Sequence, residues 1–148
     1  MAIKVGSAAP VVEGVGVRGP HALVFYEVTC SVTKMARQPL ARLGDAYPEA
    51  VVGVGQDPPD DLVVFAAAQG WRFPQVSDLA PYPASDAYGI ASAPTVVVVD
   101  GDGRVADVVE SWDREGANRA SAVLAGLLRV EPAILSEPAD GLPAFKPG

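Results

Sequence analysis

The sequence predicts an α/β domain in which helices cover a central sheet, and three observations carry that prediction. Short apolar runs alternate with stretches of helical period along the chain. Two of the runs, Ala22–Tyr26 and Ala50–Gly55, are apolar on both faces, which suits strands covered on both sides rather than a one-sided sheet. Near the C-terminal third, Thr95–Val99 and Arg104–Val109 read as two strands joined by Asp100-Gly-Asp-Gly, a strong hairpin pattern.

Taken in order, the first strand is Ala22–Tyr26, entered through Gly19-Pro20. Val32 to Tyr47 then reads as a helix, with Met35, Leu40 and Leu43 inward and Lys34, Arg37 and Arg42 outward. Pro39 falls inside it and is expected to kink it, because proline removes an N–H and its ring meets the preceding turn. The second strand ends in Gln56-Asp57-Pro58-Pro59, and Asp60 or Asp61 is placed to cap a helix running to Gln69-Gly70. After the hairpin, Ser111–Asp113 open a last amphipathic helix through Arg129, with Ala120, Leu124, Leu127 and Leu128 on its inner side. Beyond Val130 the chain holds four prolines and reads as an extended tail. The expected organisation is thus one domain over 1–130 and a Pro/Gly-rich tail over 131–148.

Composition narrows the partners. The chain has 148 residues, 49% of them apolar, enough for one substantial core. A formal net charge of −7, with eleven scattered Lys and Arg, argues against a nucleic-acid backbone or an anionic membrane as partner. No apolar run approaches the ~20 residues that cross a bilayer. The opening Met1-Ala-Ile-Lys-Val-Gly lacks a secretory pattern, and the single cysteine forms no internal disulfide, so the expected setting is the cytoplasm. One His and one Cys do not complete a structural zinc site, and no metal or cofactor is expected. Gly53 and Gly55 lack the third glycine of a dinucleotide fingerprint. Asp57, Asp60 and Asp61 read as loop and capping groups, and Tyr26, Trp71, Phe73 and Trp112 as core or rim packing.

Cys30 is the one residue with distinctive chemistry. It follows a buried strand and opens a helix, where free N–H groups and the macrodipole stabilise a thiolate; Lys34, one turn on, adds a positive charge if it folds back. The alternative is that Cys30 is a small buried hydrophobe. Thr33 has two readings also: its hydroxyl donates a hydrogen bond to the Cys30 sulfur, or it only fills space. Glu27 is the acid nearest in sequence to Cys30, on an exposed rim position.

The order of these segments resembles the thioredoxin superfamily, and within it the alkyl hydroperoxide reductase and thiol-specific antioxidant branch, together with the thiol-disulfide reductases of cytochrome maturation. The residues that carry the resemblance are Gly6-Ser-Ala-Ala-Pro10, Leu23-Val-Phe-Tyr-Glu-Val-Thr-Cys30, Val51-Val-Gly-Val-Gly-Gln-Asp57 and Tyr88-Gly-Ile-Ala-Ser-Ala-Pro94-Thr95, followed by Asp100-Gly-Asp-Gly-Arg104. The likeness runs in order from residue 6 to about 128. It implies a thioredoxin-like fold with a central mixed sheet, antioxidant or thiol-disulfide exchange activity, and a redox-active Cys30. It also implies a cis peptide before Pro94, with the Ala93 backbone turned toward the cysteine and open to strand-like hydrogen bonds with an extended peptide or a small thiol. A trans proline starting an edge strand is the plain alternative. Cys30 and Thr33 become the candidate catalytic pair, and Thr29, Ser31, Ala93 and Pro94 the candidate substrate-binding residues.

The departures from the family shape the expected mechanism. Where reducing members carry Cys-x-x-Cys, this chain reads Cys30-Ser31-Val32-Thr33; three residues before Cys30, where peroxiredoxins carry Thr, stands Glu27; and Val24 replaces thioredoxin's buried acid. A hydroxyl cannot resolve a mixed disulfide, since exchange needs a second thiolate. The leading expectation is a thiol-dependent oxidoreductase in which Cys30 attacks a disulfide or peroxide and an external thiol, small or protein-borne, completes the cycle. A one-cysteine peroxidase and a non-catalytic binding module with an idle Cys30 are the alternatives.

Overall fold

The sheet grows outward from β1 (His21–Tyr26), whose last five residues are all buried. In the computed structural model, which describes residues 1–148, β1 pairs in parallel with β2 (Val51–Gly55) and antiparallel with β4 (Thr95–Val99). Beyond them lie β3 (Gln75–Ser77), parallel to β2, and β5 (Val105–Glu110), antiparallel to β4. The strand order is β3-β2-β1-β4-β5, a mixed five-stranded sheet.

Alternation along each strand divides the core into two layers. Ala22, Val24, Tyr26, Val51, Val96 and Val98 face the larger one, closed by α1 (Ser31–Met35), α2 (Arg37–Ala46), α3 (Pro59–Gln69) and α5 (Arg114–Leu128). Leu23, Phe25, Val52, Val54, Val97 and Val99 face the smaller one, with Val12 and Tyr88. Two glycines of β2 explain their own presence: a Cβ on Gly53 would collide with the Gln75 side chain, and one on Gly55 with Leu62 and Tyr26. Tyr26, Phe65, Trp71 and Phe73 form a chain of ring contacts 5.1–5.4 Å apart in the larger layer, so Tyr26, Trp71 and Phe73 pack in the core as read, and Trp112 is buried with them in that layer.

Several local expectations change. The helix expected over Val32–Tyr47 is two, broken at Ala36 (φ −84°, ψ 11°). The break lies upstream of Pro39 because that proline has no N–H for the carbonyl of Met35 and its ring crowds the same carbonyl. Asp60 and Asp61 occupy the first turn of α3, and Pro58 is the residue before it, so they face the helix dipole without capping it by side chain. Leu127 is exposed rather than inward. The short β3 and α4 (Pro83–Ala87) carry no strong period and are visible only in the structure.

The largest change concerns residues 131–148, which fold back on the domain. Leu135 and Ser136 are buried. Asn118 on α5 donates to the Ser136 carbonyl at 2.9 Å and accepts from the Leu135 and Ser136 N–H groups at 2.8 and 3.2 Å. Arg114 reaches the Leu142 carbonyl at 2.6 Å, Arg42 the Leu135 carbonyl at 2.7 Å, and the Trp112 indole the Pro143 carbonyl at 2.7 Å. At its end, β7 (Phe145–Lys146) pairs with β6 (Trp112–Asp113). A Pro-rich segment whose carbonyls are satisfied this way needs no period of its own.

Two stability predictions follow from this packing. Leu135→Ala removes a side chain that is 2% exposed and is expected to lower the unfolding free energy by ~2–5 kcal/mol, read by urea denaturation. Burial pushes the Tyr88 hydroxyl up to about 12, and burial together with the nearby Asp57 carboxylate holds Tyr26 higher still. Both are harder to ionise folded than unfolded, where tyrosine titrates near ~10. Their stabilising contribution is therefore complete below about pH 10 and is lost as pH rises toward and beyond 12. Ultraviolet titration of the folded protein should show Tyr26 and Tyr88 silent until they ionise together with unfolding.

Candidate active site

β1 ends at Tyr26 and the chain turns through Glu27–Thr29, with the Cys30 N–H donating to the Glu27 carbonyl at 3.2 Å. Asp57, at the end of the neighbouring strand, ties this turn down by accepting from the Val28 N–H at 2.9 Å. Cys30 then stands as the N-terminal cap of α1. Its sulfur takes the place usually held by a Ser or Asp oxygen and accepts from the Thr33 backbone N–H at 3.4 Å.

The opposite wall comes from the chain entering β4. The Ala93–Pro94 peptide is cis, as the resemblance implies, and the Cys30 thiol donates to the Ala93 carbonyl at 3.3 Å. The half-buried sulfur opens into a pocket of about 240 Å³ lined by Phe25, Tyr26, Glu27, Gln56, Ser85 and the run Ile90–Ala93, with Gly148 at its edge. Ser85 is held there by Asp78, whose carboxylate accepts from the Ala84 and Ser85 N–H groups at 2.9 and 2.8 Å. The Ser85 and Ser92 hydroxyls are buried with no hydrogen-bond partner, although both residues line the pocket. Buried polar groups in a folded protein are normally satisfied, so the pocket wall carries two hydroxyls whose hydrogen-bonding capacity is unused.

The other sequence-predicted residues separate into distinct places. Thr33 is fully buried behind the sulfur, and its hydroxyl has no partner. The expected hydroxyl–sulfur bond is therefore replaced by one from the backbone, and the space-filling reading of the Thr33 side chain fits. Thr29 and Ser31 are exposed and lie outside the pocket lining. Pro94 is buried and faces Ala36, Leu40, Trp112 and Leu135 on the far side. Lys34 is exposed and makes no hydrogen bond to the sulfur. Of the long helix expected to support the thiolate, only the five residues of α1 follow the cysteine before the break at Ala36, and the directed support is one N–H, that of Thr33. No group of three or more His, Cys, Asp or Glu is placed to hold a metal ion.

Sequence reading missed Ser85, Ser92, Gln56 and Gly148. Ser92 and Gln56 both lay inside the motifs that carry the resemblance, Ser92 two residues before Pro94 and Gln56 just after the second strand, whereas Ser85 and Gly148 reach the cysteine only through long-range folding.

Solved structures share the fold that carries this site. The thioredoxin domain of a thiol-disulfide oxidoreductase from Bacteroides vulgatus superposes with a TM-score of 0.68 at 17% identity, covering 83% of this chain and 99% of that one. This is the thioredoxin-like fold. A secreted Mycobacterium tuberculosis disulfide oxidoreductase homologous to E. coli DsbE matches with a TM-score of 0.59 at 21% identity, over 74% of this chain and 82% of that one. The dsbF protein of MTB, solved in mixed oxidized and reduced forms, matches at 0.61 and 23% identity, over 72% and 82%. No protein-family model matches the chain, and no curated protein does. Within the thioredoxin-like frame, the mixed sheet and the cysteine after its central strand stand as the sequence predicts them.

The bonding of Thr33 sets a direct test. Thr33→Val keeps the side-chain shape and the backbone N–H while deleting a hydroxyl that has no partner, a change that is neutral or stabilising when a buried polar group is unsatisfied. The melting temperature should hold or rise, and the alkylation rate of Cys30 should stay within about twofold. A large fall in that rate would return the hydroxyl to the chemistry.

Proposed function

We propose that this protein is a thiol-dependent oxidoreductase that works through the single nucleophile Cys30 on disulfide substrates and is regenerated by an external thiol. The observation that carries the reading is the setting of one sulfur. Cys30 is half-buried, and its Sγ sits at a pocket with both polar and apolar walls, between the Thr33 N–H and the Ala93 carbonyl that precedes cis-Pro94. An idle core cysteine would be walled in by aliphatic side chains; this one faces a cavity. The thiol-disulfide oxidoreductases that share the fold support the same role.

The cycle follows from the stoichiometry of one thiol. The Ala93 carbonyl accepts the S–H bond but is no base, so the proton leaves to solvent and the Thr33 N–H remains on the thiolate. That thiolate attacks one sulfur of a disulfide; the substrate S–S bond breaks, a Cys30 mixed disulfide forms, and the other half departs as a thiolate and takes up a proton. With no second cysteine in the chain, a thiolate from a small molecule or another protein then attacks the adduct and restores Cys30. The cycle has no metal or cofactor step. Thr33 contributes its main-chain donor, and Ala93 its carbonyl, to placing the sulfur.

Intact-mass measurement decides the proposal. Treatment with a small disulfide should add one substituent to the folded protein, added thiol should remove it, and Cys30→Ser should abolish the adduct. Wild-type protein that stays unmodified while folded would leave a thioredoxin-like binding module with an idle cysteine. Stable sulfenic acid formation with mild peroxide, and no reaction with disulfides, would move the substrate to peroxides.

A further inference from the structure

The segment Phe145–Gly148 reaches the pocket beside the cysteine. After pairing with β6, the chain continues past Lys146, and the Gly148 N–H donates to the Ser111 hydroxyl at 3.1 Å. Gly148 then packs on the Ala93 main chain so closely that a Cβ built on it would fall on the Ala93 carbonyl oxygen. An extended peptide bound beside Ala93 as an added strand would need its own backbone ~4.8 Å away, with hydrogen bonds across the gap. Gly148 of this protein's own tail already lies against that stretch of main chain, where an incoming strand would have to sit.

What stays open is the pocket beside the sulfur, bounded by Phe25–Glu27, Gln56, Ser85, Ile90–Ala93 and Gly148 itself. Its 240 Å³ is below the ~300–1,000 Å³ of sites for drug-sized ligands, so it admits one arm of a small molecule rather than a peptide segment. Its polar contents fit such an arm. Ser85, 4% exposed, and Ser92 each bring a buried hydroxyl without a partner, and Glu27 is the one charged side chain in the lining. Together these favour a short arm with hydroxyl or amine groups and disfavour an anionic one.

We infer that the tail segment Phe145–Gly148 makes the Cys30 pocket selective for low-molecular-weight disulfides with short, neutral or cationic polar arms, by occupying the strand position beside Ala93. The inference rests on the proposed thiol chemistry of Cys30 and adds its substrate class. The Gly148 seat is the specificity element and Ser111 is its anchor.

Two disulfides separate the effects: 2-hydroxyethyl disulfide, and a cysteine-containing decapeptide carrying 2-mercaptoethanol on its thiol, for which only the peptide adduct, formed with 2-mercaptoethanol as the leaving group, is counted. Rates of Cys30 modification, followed by quenched intact mass on the full chain, should favour the small disulfide at least tenfold in wild type. Gly148→Val, whose side chain meets the Ala93 carbonyl, and Ser111→Ala, which removes the anchor, should each cut that ratio at least fivefold. Equal wild-type rates, or a ratio that neither variant moves, would overturn the inference while leaving the oxidoreductase reading intact. Reaction with neither disulfide, in protein whose circular dichroism shows it folded, would overturn both.

Discussion

The pairing of β1 with β4 is the constraint on which the candidate site depends. Their antiparallel register sets Phe25 opposite Thr95, so the turn that leaves β1 and the peptide that enters β4 meet at one end of the two central strands. That is how Cys30 and Ala93, 63 residues apart in sequence, come within a 3.3 Å hydrogen bond. Both strands are buried on both faces, and shifting the register by one residue would exchange the two core layers along a whole strand. The hydrophobic packing that fixes the register therefore also fixes the site.

The surroundings of the sulfur are held by hydrogen bonds from the main chain to two nearby carboxylates. Asp57 pins the turn before Cys30, Asp78 pins the start of α4, and each does so by accepting main-chain N–H groups. The carboxylates thereby serve as struts. Through the Asp78 contacts, Ser85 arrives at the pocket with its hydroxyl uncommitted, which leaves recognition capacity where a substrate arm would lie. The rigidity of the strands and the spare polar groups are complementary: the first sets the sulfur and the second leaves room for selectivity.

The tail links stability to access. Its inner part is bound to α5 and α2 through Asn118, Arg114 and Arg42, and its outer part runs to the pocket rim through β7. Leu135 closes the core on the same side as Pro94. One segment thus completes the hydrophobic core behind the cis-proline and covers the main chain in front of it.

The amino-acid sequence by itself determined the α/β class, the strands at Ala22–Tyr26, Ala50–Gly55, Thr95–Val99 and Arg104–Val109, and the placement of Cys30 at a strand-to-helix junction. These features are local: an apolar run, an Asp-Gly hairpin, a proline at a recognisable distance. They are written within a few residues and survive whatever the rest of the chain does. The tertiary structure alone decided that the 131–148 segment folds back, that α1 and α2 separate at Ala36, that the Thr33 hydroxyl is left without a partner, and that Ser85 and Gly148 join the cysteine. Each of those depends on residues far apart in sequence making a small number of directional contacts, such as Asn118 with Leu135 and Ser136 or Gly148 with Ser111. A hydrogen bond between distant segments leaves no period, composition or spacing to read, and it exists only once the core has brought its two ends together.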